Sequence, residues 1–221
     1  MTALVARVDT LDSQLYLSRL SRAEQDRLVR EMDDLSQRAV AVDETYPAGW
    51  YARAIALYRQ GRLEAALEAN ARYLRLEPMR AAPLSQRAWL MLFTGQTAVA
   101  LDLVDQALAR SSSNSFEVAF ALASRCSVEL RLGKYDEAIA DCEKAVANQD
   151  GWFAQSLLVA AYAQKGDLAS AAASKNRLLS MRPWYSVADE KARQVSDNPT
   201  YLHQTEAHFY SGLRKAGIPE T

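Results

Sequence analysis

Gly133-Lys134-Tyr135-Asp136-Glu137-Ala138-Ile139-Ala140-Asp141-Cys142-Glu143-Lys144-Ala145 decides the reading of this chain. Gly133 stands where a helix ends in the left-handed conformation that only glycine adopts cheaply. Tyr135, Ala138, Ile139, Cys142 and Ala145 then recur at intervals of three and four, the stripe of a second helix. Two of the five are alanines, so another helix must approach closely there. The stretch is the latter half of a helix–turn–helix unit that cannot bury its apolar face alone.

The unit recurs. Gly61 is followed by Leu63, Ala66, Asn70 and Tyr73, and Gly95 by Thr97, Ala100, Val104 and Ala107. Gly166 is followed by Leu168, Ala171, Lys175 and Leu178, and the glycines sit 34, 38 and 33 residues apart. A two-helix unit at this period resembles the tetratricopeptide (TPR) family. The resemblance implies an all-α solenoid, a right-handed superhelix of stacked hairpins, covering residues 1–185, with a C-terminal capping segment over 186–221.

Composition agrees. Apolar residues make up 49% of the 221, enough for continuous burial between repeats, and only 8 glycines and 6 prolines interrupt them. A net charge of -1 points to neither nucleic acid nor an anionic membrane. No apolar run reaches the roughly 18 residues of a membrane span, and Met1 to Asp9 lacks the basic flank and apolar core of a signal peptide. Two cysteines do not make a disulfide framework, so a cytoplasmic, reducing location is the expectation.

The first repeat, residues 10–46, is degenerate and lacks the turn glycine. Met1 to Asp9 reads as a frayed or partly helical leader, Thr10 or Asp12 as the cap of a helix carrying Leu15, Tyr16 and Leu20, and Ser21 with Glu24 as a capping box opening a helix through Val42. Residues 47–80, 81–118, 119–151 and 152–185 form the next four repeats. The second matches the family pattern through Trp50, Leu57, Gly61, Leu63, Ala66 and Pro78 but has Arg53 and Asn70 in place of Leu and an aromatic. Four extra residues between Ser111 and Val118 are expected to lengthen the first helix of the fourth repeat, with Asn114 and Glu117 as a cap pair. Beyond Pro183, Asp189 to Gln194 suggests a short helix and Asp197-Asn198-Pro199 a turn. Thr200 to Lys215 then reads as a final helix stopped by Gly217, covering the open end of the stack. The ending Tyr210 to Glu220 is similar to the tails of TPR regions in bacterial signalling proteins, notably nucleotide cyclases and winged-helix activators.

Few residues suggest chemistry. His203 and His208, on either side of Glu206, are five apart and so about 140° off one helix face, and a surface or partly buried polar role outweighs a metal site. Cys126 and Cys142 occupy a small and a bulky packing position and read as buried, reduced thiols. Neither a glycine-rich phosphate loop nor a Gly-x-Ser-x-Gly elbow is present. A catalytic role, a cofactor and a metal are therefore not expected. Arg53, Arg87 and Arg125 share one repeat position. They read as arginines whose stems pack while their guanidiniums reach an acceptor in the neighbouring unit, in preference to a positive stripe for an acidic partner.

In the TPR family the first helices line a concave face. Matched positions place Tyr51, Tyr58, Arg59, Gln86, Trp89, Phe93, Ser124, Ser127, Arg131 and Phe153 there, an aromatic- and arginine-bearing surface of the kind that anchors partners. The family's carboxylate clamp needs Lys and Asn where this chain has Tyr51, Ile55 and Ser85. The expected function is a non-catalytic scaffold holding a peptide or helix of another protein in that groove, with homo-oligomerisation left open. The alternative is a regulatory or sensory domain accompanying a bacterial effector such as a cyclase or transcription activator.

Overall fold

The computed structural model describes residues 1–111 and 115–221, with only the backbone described for Ser115 and Phe116. The cap pair expected of Asn114 with Glu117 lies outside the described residues. Five helix pairs follow one another: α1 (Thr2–Leu17) with α2 (Arg22–Val42), α3 (Pro47–Arg59) with α4 (Leu63–Leu76), and α5 (Ala81–Phe93) with α6 (Thr97–Arg110). Then come α7 (Ser115–Arg131) with α8 (Tyr135–Asn148), and α9 (Trp152–Lys165) with α10 (Leu168–Met181). Among the described residues there is no strand. Each helix packs on its sequence neighbours; α1 also packs on α3, α5 on α7 and α7 on α9, and Gln86 and Phe93 of α5 reach Tyr51 and Tyr58 of α3, so the first helices share one face.

The turns show why the glycines recur. Gly61, Gly95, Gly133 and Gly166 have φ of 73, 77, 74 and 89°. At each, two reversed hydrogen bonds close the first helix: Gly61 N–H donates to Tyr58 O and Arg62 N–H to Leu57 O, and the other three turns repeat the arrangement. The second helix starts two residues later. Ala66, Ala100, Ala138 and Ala171, each five residues beyond its glycine, are wholly buried and let the paired helices close up. The first pair has no turn glycine. Its second helix instead starts on the expected capping box, Glu24 N–H donating to Ser21 Oγ at 3.3 Å and Ser21 N–H to Glu24 Oε2 at 2.8 Å.

Two expectations need correction. The helix expected to be capped at Thr10 or Asp12 starts at Thr2, so both lie inside α1 and the leader is helical; Val5, Val8 and Leu11 bury against Leu28, Met32, Ala52 and Ala56, and this tertiary contact compensates for the missing side-chain cap. The cysteines are not free thiols. Cys126 and Cys142 form a disulfide, with Cα atoms 5.5 Å apart. Their positions face each other across the α7–α8 hairpin, which reading each residue within its own helix does not show. Disulfides belong to oxidising compartments, so the cysteines no longer support a reducing location.

Past α10 the chain turns back. Helix α11 (Val187–Ala192) leads into a coil, and Pro199 to Lys215 is one helical rod with three parts: α12 (Pro199–Gln204), a π-helical turn (Thr205–Tyr210) and α13 (Ser211–Lys215). Asn198 caps it, its Oδ1 accepting from Thr200 and Tyr201 N–H, and Gly217 (φ 75°) ends it. The rod buries its stripe on the array as expected, but it lies along the first helices, on α9 and α7.

Candidate protein-interaction groove

Arg59, Phe93, Arg131 and Gln164 each stand two residues before a turn glycine, at the end of a first helix. Together they form a row along the glycine edge of the face. The C-terminal segment runs along this row in the order of the repeats.

Each step has its own chemistry. Arg59 pairs with Asp12 of α1 at 2.6 Å and lies 5.3 Å from the Tyr58 ring centroid. Beside it, Gly61 leaves room for Val195 O, which an added Cβ would approach to 3.1 Å. At the next repeat Ser196 Oγ donates to Phe93 O at 2.6 Å, the Phe93 ring meets Tyr201 at 4.8 Å, and Thr97 Oγ1 donates to Gln204 Oε1 at 2.6 Å. Arg131 is the centre. Its guanidinium sits 5.3 Å from both the Tyr201 and the Phe209 ring centroids, Nε donates to Thr205 Oγ1 at 3.0 Å, and Nη1 donates to Ser127 O and Oγ. Tyr201, Thr205 and Phe209 share one face of the rod, so an aromatic, a hydroxyl and an aromatic close around one buried cation. Gln164 Nε2 then donates to Ala207 O at 3.0 Å and His208 O at 2.7 Å, two carbonyls of the π turn. Gly212 rests on the backbone of Ala160, where a Cβ would come within 2.6 Å of the carbonyl oxygen.

The other end of the groove is closed by α1. The Tyr16 ring packs on Trp152 at 4.7 Å, Arg182 stacks 3.8 Å from the Trp152 ring centroid and donates to Tyr16 O, and Arg193 Nη1 donates to Leu15 O at 3.1 Å. A cleft of about 390 Å³ remains where the coil enters, between Gln25, Asp26, Arg59 and Arg193.

The residues expected to face a partner therefore divide. Phe93 and Arg131 are buried under the C-terminal rod. Gln86 is buried as a clamp between repeats, accepting from Asn70 Nδ2 at 3.0 Å and donating to Tyr51 O at 3.2 Å. Ser124 and Ser127 are buried, Ser124 bonding to Phe120 O within its own helix. Tyr58 and Arg59 are half-buried, Tyr58 against Phe93 at 5.1 Å. Tyr51 is half-buried edge-on to Tyr73. Trp89 and Phe153 are half-buried as well, their rings 5.5 Å apart. Next to them, and absent from the family-based set, is Phe120, 42% exposed and 6.5 Å from Trp89. Phe120 holds the place of Ala82 in the preceding repeat, thirteen residues before the turn glycine. A family pattern gives that position no weight; only the bulk of the side chain signals it.

The arginine position is spoken for internally. Arg53 Nη1 pairs with Asp33 Oδ1 at 2.5 Å, and Arg125 binds both oxygens of Asp141 and reaches Asp105 at 2.8 Å. Arg87 faces Asn70 Oδ1 at 3.5 Å. Each reaches the second helix of the preceding repeat, and for Arg53 and Arg125 the acceptor there is a carboxylate. Burial, and then the neighbouring Asp141 carboxylate, pushes Glu129 beside Arg125 up to about 7. The histidines are engaged too: His208 Nδ1 lies 2.7 Å from Tyr135 Oη, and Glu206 pairs with Arg214 and, at 3.5 Å, Lys191. Among the described residues no three metal-ligating side chains converge, and no helix is long and apolar enough to cross a membrane.

Similar arrangements of helix pairs are known. TTC0263, a thermophilic TPR protein of Thermus thermophilus, superposes with a TM-score of 0.66 at 19% identity over 92% of this chain and 99% of its own. The chain has the tetratricopeptide-repeat fold. PilW, a type IV pilus biogenesis factor, matches with a TM-score of 0.64 at 15% identity over 94% of this chain and 92% of PilW. YrrB, a TPR protein with an unusual peptide-binding site, matches at 0.50 and 13% identity over 90% of each chain. No protein-family model and no curated relative matches the sequence.

Proposed function

We propose that this TPR array binds a peptide or helix of another protein on the face of its first helices, anchored on the open aromatic strip of Trp89, Phe120 and Phe153. The observation that carries the reading is Phe120, a residue left 42% exposed beside two half-buried aromatics on parallel helices. Clustered aromatics at the water boundary are the residues that dominate binding energies, because they bury large area at little entropic cost. Tyr51 extends the same face one repeat earlier. YrrB, of the same fold, is described as having an unusual peptide-binding site. The proposed role is non-catalytic, the face serving as anchoring surface.

Affinity capture from the source cell tests this, using the whole chain and its Trp89→Ala, Phe120→Ala and Phe153→Ala variants. One protein retained by the parent chain and reduced at least tenfold by each variant is the expected result. A partner held equally by the parent and all three variants removes the strip from the interaction.

A further inference from the structure

The rod Pro199–Lys215 buries Tyr201, Phe209, Tyr210 and Leu213 on the array and adds to this apolar contact a set of directed polar ones. The two helices of a repeat close on wholly buried alanines (Ala66, Ala100, Ala138 and Ala171). The rod meets the groove through two rings around a cation, a hydroxyl–amide contact at Thr97 and the Gln164 amide on its backbone. That is how a helix is held in a groove by a receptor. The rod also contains a six-residue π turn where it wraps Arg131, a helix geometry rarer and less well bonded than α. It joins the body through residues 194–198, which have no regular structure.

We propose that this rod is an internal stand-in for a partner helix, and that the partner displaces it. The site would take an amphipathic helix presenting an aromatic, a small hydroxyl and a second aromatic at i, i+4 and i+8. A glycine three residues further on would lie on Ala160. Arg131 reads the two rings, Gln164 the backbone, and the glycine edge admits the approach. The inference rests on the reading of the first-helix face as a recognition surface, but it uses Arg131 and Gln164, not the open strip. Loss of one therefore leaves the other testable.

The probe is a fluorescent synthetic peptide of residues 198–218, added to the full chain. The chain carrying Tyr201→Ala with Phe209→Ala, its own rod unseated, is expected to bind the peptide at least tenfold more tightly than the parent chain. Adding Arg131→Gln to that variant is expected to abolish the gain. A folded double variant that binds no better than the parent overturns the proposal. Hydrogen exchange on the unaltered chain gives a second reading that does not depend on any variant folding. Amides of 199–215 are expected to be at least tenfold less protected than those of α7 to α9. Equal protection means that the rod opens only with the whole array, and the proposal fails. Self-association of the unaltered chain that the peptide dissolves assigns the groove to a second copy, and overturns the partner assignment.

Discussion

Replacing Gly95 by Ala tests the turn and the groove together. The φ of 77° alone costs a residue with a Cβ roughly 1–2 kcal/mol. A second term comes from what lies against the turn. The new Cβ would stand inside van der Waals contact of Asn198 Oδ1 and 3.0 Å from Thr200 Cβ. Asn198 Oδ1 is the cap of the C-terminal rod, accepting from Thr200 N–H at 3.0 Å and Tyr201 N–H at 3.2 Å, and losing such a cap costs about 1 kcal/mol. Gly95→Ala is therefore expected to destabilise by about 2–3 kcal/mol. Gly166 is the control. Its φ is 89°, yet among the described residues nothing lies within 4 Å of an added Cβ, so Gly166→Ala should cost only the conformational part, about 1–2 kcal/mol. Urea unfolding followed by circular dichroism gives both values, and Gly95→Ala combined with Asn198→Ala should cost less than the sum of the single changes. Equal losses at Gly95 and Gly166, with strict additivity at Asn198, would show that the rod does not rest on this turn.

Other perturbations address the core. Leucine in place of Ala66, Ala100 or Ala138 is expected to cost about 1–3 kcal/mol by overpacking; unchanged melts for all three would contradict the helix contacts described. Protein purified without reductant and then denatured should show no reactive thiol, and reducing the bridge between Cys126 and Cys142 should destabilise by about 3 kcal/mol, the value for a loop of this length. Free thiol in the denatured, unreduced protein counts against the bridge. Because Glu129 is held up to about 7 when folded and returns to an ordinary carboxylate value when unfolded, the folded chain binds the extra proton between those values. Its contribution to stability falls as pH rises through about 7, on the order of 1–2 kcal/mol after solvent screening. Glu129→Gln should flatten that fall, read as urea midpoints at pH 5.5 and 8; identical slopes for the two proteins would remove Glu129 as its source.

The repeat is legible in the amino acids because its causes are local. A left-handed turn needs glycine, and Gly61, Gly95, Gly133 and Gly166 stand where the four helix pairs reverse. A close helix contact needs a small side chain, and an alanine follows each of those glycines at the same distance. The pairing of Arg53 and Arg125 with carboxylates is readable for a related reason: a charge on a packed helix must find an acceptor within reach. The leader escapes such a reading because Val5, Val8 and Leu11 are held by α2 and α3, not by any capping residue.

What covers the groove is decided only in three dimensions. Tyr201, Thr205 and Phe209 form an ordinary amphipathic stripe that would suit the end of the stack as well as its inner face. Arg131 lies 74 residues from Thr205, and no local periodicity joins positions so far apart. The pairing of Cys126 with Cys142 is of the same kind, a meeting of faces on two helices. Spacing along a chain reports which side of a helix is apolar; which surface that side meets depends on the curvature accumulated over all five repeats.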